Sequence, residues 1–175
     1  MANNKAWRYI VIHHSFTEDG KILNDFAAIE KYHKAYRYNN NIITEAQANE
    51  LITKGKYVIK PWRKIGYHFI IEYDKGALTV KSGRGLDESG AHCQGLNGQA
   101  IGICIIGNFD VKEPDEEQYK AVVDLSVKLM KQFNIQIKDL KPHSYFAPWK
   151  SCPGHKFNWT KYLCAVQERM EKNGA

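Results

Sequence analysis

The sequence predicts one α/β domain, a central mixed β-sheet flanked by helices. Two kinds of segment predict it. Short β-branched and aromatic runs lie near residues 7–14, 67–73 and 100–107. The first and last of these are apolar at successive positions, as strands buried on both faces of a sheet are. Longer stretches at about 24–38, 115–133 and 158–171 repeat apolar residues at helical spacing. With 175 residues and 43% hydrophobic content, the chain fits a single domain over 1–175.

The elements follow in order. Trp7-Arg8-Tyr9-Ile10-Val11-Ile12-His13-His14 reads as a strand in mid-sheet. Phe26, Ile29, Tyr32, His33 and Tyr36 mark a helix from about 24 to 38, with His33 partly exposed, and Asn39-Asn40-Asn41 ends it. Thr44 can cap a short helix over 44–51, and Lys54-Gly55-Lys56 reads as loop. Tyr67 to Tyr73 is a second strand, on which Tyr67 and His68 would face opposite sides. Asp74-Lys75-Gly76 turns it into a returning strand at Leu78-Thr79-Val80. A Gly-rich stretch over 82–98 precedes the third strong strand, residues 100–107. Asp115 can cap the helix that runs to about Phe133. Residues 142–155 read as a loop rich in Pro, His and aromatics, and a last helix spans about 158–171.

The net charge of +6 favours an anionic partner. The basic residues are dispersed, and no helix carries a basic face with base-reading residues, so nucleic acid is not expected. No apolar run approaches the roughly 18 residues of a membrane span, and no membrane association is expected. The first residues lack the apolar stretch of a secretory signal. Synthesis in the cytoplasm is therefore expected, and action on a cell wall would need holin-type release. Four cysteines in such a chain read as thiols or a metal ligand rather than disulfides.

A zinc hydrolase needs three protein ligands and an open fourth position for water. His13 or His14, His143 and Cys152 are the candidates. Neighbouring strand residues face opposite ways, so His13 and His14 cannot both reach one ion, and periodicity does not choose between them. His143 and Cys152 share a loop that can fold both onto one metal, with Lys150 two residues before the cysteine.

These residues, in this order, resemble the zinc N-acetylmuramoyl-L-alanine amidases that include small phage lysozymes and peptidoglycan recognition proteins. The resemblance rests on Ile10-Val11-Ile12-His13-His14-Ser15, Ile65-Gly66-Tyr67-His68-Phe69-Ile70-Ile71, Gly90-Ala91-His92, residues 100–107, and His143 through Cys152-Pro153-Gly154. It implies Zn2+ held by His13, His143 and Cys152, with Tyr67 and Lys150 catalytic. It assigns His92, Asn97 and His14 to the substrate side of the site. The implied reaction is hydrolysis of the amide between the lactyl group of N-acetylmuramic acid and L-alanine of the peptidoglycan stem peptide, by a monomer. A non-catalytic peptidoglycan-binding module is the alternative; members that only bind typically lose the thiolate ligand, and Cys152 is present here. Residues 39–64 exceed what the compact phage enzymes need and read as an insertion, and Trp149 reads as an extra residue in the Cys152 loop.

Overall fold

The computed structural model describes residues 5–17 and 25–172. In chain order it contains β1 (Tyr9–His14), α1 (Asp25–His33), β2 (Tyr36–Tyr38), β3 (Asn41–Ile43), α2 (Glu45–Thr53), β4 (Phe69–Asp74) and β5 (Ala77–Ser82). There follow β6 (Ala100–Ile105), α3 (Glu116–Phe133), a 3-10 turn (Ile137–Asp139), β7 (Leu140–Pro142), α4 (His143–Phe146) and α5 (Trp159–Lys172). The main sheet runs β5-β4-β6-β1-β7. β4, β6, β1 and β7 are parallel, and only β5 pairs antiparallel. This is the mixed sheet with flanking helices that the apolar runs predict. Among the described residues, no helix is long and apolar enough to cross a membrane.

Register divides the sheet into two faces. Ile12 pairs with Ile103, and Phe69 pairs with the same residue. Their face buries the main core, against Val122, Leu129 and Met130 of α3 and Tyr162 and Val166 of α5. His13, Cys104 and Ile70 pair on the other face, part of which is covered by Phe26 and Ile29 of α1. Two capping boxes start α2 and α3 where Thr44 and Asp115 predict them, and Asn134 ends α3 in the left-handed conformation.

Four expectations need correction. The predicted helix at 24–38 ends at His33; its start at 24 lies outside the described residues. Residues 36–38 form β2 instead, because Arg37 exchanges backbone bonds with Ile59 and the Asn39-Asn40 pair turns the chain back at positive φ. His33 is buried, not partly exposed: its Nδ1 accepts the Gly66 amide, and its ring packs on Trp62 at 4.6 Å. The loop predicted at 142–155 begins as the last residue of β7 and the short helix α4, because Pro142 pairs with Ile12 of β1. β4 itself starts only at Phe69, so strand alternation does not separate Tyr67 from His68, and both rings lie within 6.3 Å of the His92 ring.

Residues 39–64 build β3, α2 and a return loop around a buried Arg37, whose guanidinium lies 4.3 Å from the Trp62 ring and 4.9 Å from that of Tyr32.

Two buried histidines set a pH limit on this fold. Burial pushes both His33 and His68 down to about 4. His68 uses Nδ1 to accept the Gly102 amide, a role open only to the neutral ring. The unfolded chain protonates both near pH 6.5, whereas the folded chain resists until about 4. Stability is therefore complete above pH 6.5 and falls as the pH drops toward 4. The loss is up to about 3 kcal/mol per histidine. Urea midpoints of metal-free protein should decline steadily over that window, and a flat profile would contradict the assignment.

Candidate metal centre

Three separate elements bring the predicted ligands together. His13 is the fifth residue of β1, on the face away from the α3–α5 core. His143 opens α4 directly after β7, the strand paired beside β1, which brings its ring to 4.4 Å from that of His13. Cys152 sits in the loop after α4, with Sγ 3.6 Å from His13 Nδ1. The loop is tied back by the Ser144 amide, which donates to the Cys152 carbonyl at 2.8 Å. The ligand atoms of His13, His143 and Cys152 lie within 4.8 Å of one another, and all three residues are buried.

Hydrogen bonds decide which nitrogen of His13 faces the cluster. Ala100 O can only accept, so His92 Nε2, 3.0 Å away, must carry the proton. His92 Nδ1 is then a lone pair, and His13 Nε2, 3.0 Å from it, must donate. That leaves His13 Nδ1 unprotonated and facing Cys152. A single backbone carbonyl thus sets the tautomer of His13 through the His92 ring, and leaves it the free lone pair that a metal-binding histidine needs. Gly102 makes room for the relay, since a Cβ there would come within 2.6 Å of the His92 ring. Asn97 holds the relay's loop: its Oδ1 accepts the amides of His92 and Cys93 at 2.8 and 2.9 Å.

The electrostatics keep all these rings neutral. Burial, then His92, His143 and Lys150, hold His13 well below the usual histidine range. Burial and Lys150 bring His143 to about 4, and burial and His68 bring His92 to about 3. Burial pushes the Cys152 thiol up to about 12. Two neutral imidazoles and one thiol that a metal would deprotonate offer two nitrogen donors and one sulfur donor, a set that suits Zn2+. Among the described residues the cluster has three such groups, a number that would leave the fourth position of a tetrahedral zinc open, as catalytic zinc sites do.

The remaining predicted residues occupy distinct places. Tyr67 lies beside His13, with rings 5.1 Å apart. Burial, then Cys104 and Cys152, raise Tyr67 well above the usual tyrosine range. Lys150 is exposed at the rim. His14 belongs to the opposite face and accepts the Phe109 amide through Nδ1 at 3.1 Å, away from the triad. His92 and Asn97, expected on the substrate side, spend the polar atoms named above on the ligand relay and its loop. Cys104, which reads as a packing thiol in the sequence, is one of the groups that raise Tyr67. The pairing of Cys104 with both His13 and Ile70 is the signal for it, and it exists only once strand order is known.

Known proteins share this arrangement of elements. The family described as N-acetylmuramoyl-L-alanine amidase matches over residues 3–155. The endolysin of Klebsiella phage KP32 is 37% identical over 97 residues, covering 53% of this chain and 60% of that endolysin, less than two thirds of its length. The endolysin of Escherichia phage T7 is 31% identical over 115 residues, covering 62% of this chain and 72% of the T7 protein. Among solved structures, the endolysin N-acetylmuramoyl-L-alanine amidase LysCS from Clostridium intestinale superimposes with a TM-score of 0.64 at 27% identity, over 95% of this chain and 87% of that one.

Proposed function

Because this chain belongs to the N-acetylmuramoyl-L-alanine amidase family, we propose that it cuts peptidoglycan at the amide between the muramic acid lactyl group and L-alanine, with zinc held by His13, His143 and Cys152. The observation that carries this reading is the buried cluster of two imidazoles and a thiol, the donor number that catalytic zinc sites use. A protein that only bound the wall would have no need of a buried thiol set against two buried imidazoles.

Bound zinc would supply Lewis acidity toward the scissile carbonyl and make water a nucleophile at neutral pH. The protein's own groups do the rest. The His92 relay keeps the His13 lone pair on the metal side through the reaction. Lys150, exposed beside the cluster, is the cation that meets the developing oxyanion or hands a proton to the leaving amine. Tyr67 stays protonated and therefore acts as a hydrogen-bond donor, not as a base. The net charge of +6 draws the protein toward an anionic wall.

Purified peptidoglycan digested with and without a chelator tests the reaction. Mass spectrometry should find free stem peptides with a new alanine amino terminus, lost on chelation and restored by zinc. Intact wall that nevertheless sediments with the protein would replace the enzyme with a peptidoglycan-binding module.

A further inference from the structure

The loop that carries Cys152 belongs to no helix or strand, yet a metal ligand must be held to within about 0.2 Å. Its anchor comes from another part of the chain, the connection between β6 and α3. There the Asp110 carboxylate reaches both sides of the cysteine. Its Oδ2 accepts the Ser151 hydroxyl at 2.6 Å. Its Oδ1 accepts the His155 amide at 2.9 Å and lies 2.8 Å from His155 Nδ1. One contact falls a residue before Cys152 and the others three residues after it.

Phe109, the preceding residue, extends the grip through its backbone. Its carbonyl accepts the Lys156 amide at 2.7 Å, and its own amide donates to His14 Nδ1. Gly154 packs so closely on Phe109 that a Cβ would stand 2.4 Å from the Phe109 carbonyl carbon, and Gly154 has a φ of +111°. Only glycine fits both demands. The two adjacent histidines of β1 therefore act on the same loop from opposite faces of the sheet. His13 meets the Cys152 thiol, and His14 holds the backbone segment that anchors the loop around it.

We propose that Asp110 is a positioning residue for Cys152, clamping the loop on both sides so that the thiolate is presented to the metal in fixed geometry. This rests on Cys152 being a metal ligand, as proposed above. The role is geometric, so the amide variant Asp110→Asn should preserve it: its carbonyl still accepts the His155 amide, and its NH2 can donate to Ser151 Oγ.

The test uses the whole protein with zinc and, separately, cobalt as the metal probes. Zinc affinity is read by competition with a chromophoric chelator. Thiolate coordination is read by the near-ultraviolet sulfur-to-cobalt charge-transfer band. Asp110→Ala should lose about 10–100-fold in zinc affinity and weaken the band, while Asp110→Asn stays within about threefold of the parent protein. Ser151→Ala, which removes one contact and should fold even if Asp110→Ala does not, should show a smaller loss in the same direction.

Parent-like affinity and band in both Asp110→Ala and Ser151→Ala would overturn the clamp while leaving the metal site intact. An Asp110→Asn loss as large as that of Asp110→Ala would also overturn it, because charge rather than position would then be at work. A parent protein with no thiolate–cobalt band would remove the metal reading itself, and the clamp with it.

Discussion

Cys152→Ala should lose zinc and hydrolysis together. The cysteine contributes one of three ligand atoms within 4.8 Å of one another, and it is the soft, charged member of the set. The affinity loss should exceed the roughly 10–100-fold typical of residues that only support a ligand. The thiol also predicts how binding depends on pH. Burial pushes it up to about 12, so across the neutral range each zinc that binds must displace one proton from it. His13 and His143 are already neutral there and release none. Zinc affinity should rise about tenfold per pH unit between roughly pH 5 and 7, below the range in which zinc-bound water ionises, with one proton released into a weakly buffered titration. His13→Ala should behave like Cys152→Ala, whereas His14→Ala should keep its metal. Full zinc content in Cys152→Ala, or metal lost from His14→Ala and kept by His13→Ala, would refute the ligand set.

Lys150→Ala should separate binding from chemistry. Lys150 is exposed and contributes no atom to the cluster, so zinc content should stay at the parental level. The rate of muropeptide cleavage should fall by about 10²–10⁴, the range of a lost proton donor or oxyanion partner. Because that contact forms in the transition state, the loss should fall on kcat more than on KM. An unchanged single-turnover rate would take Lys150 out of the mechanism.

Legibility differed from element to element for physical reasons. α3 was readable from both ends, because its start is a local capping box at Asp115 and its buried stripe repeats within the element. β1 and β6 were readable because parallel strands covered on both faces must be apolar at successive positions. The stretch after His33 was misread because Tyr36 continues a helical spacing by coincidence. What redirects the backbone there is the distant Ile59, through its paired bonds with Arg37. The bonds of His92 are not legible in its Gly90-Ala91-His92 motif, because Ala100 and His13, which flank its two nitrogens, are brought there by the sheet.

Composition, local periodicity and short-range bonding suffice for the α/β class, the strands, the capped helices, and the His, His and Cys types from which a zinc site can be built. Alternation required that His13 and His14 face apart, but it could not say which one faces the site. That was decided when α3 and α5 covered the Ile12 face of the sheet, which left the His13 face open to α4 and the Cys152 loop. The same holds for the tautomer of His13 and for the Asp110 clamp, whose carboxylate meets Ser151 from 41 positions away in the chain. Such features depend on contacts between distant segments, and these exist only after the chain has packed.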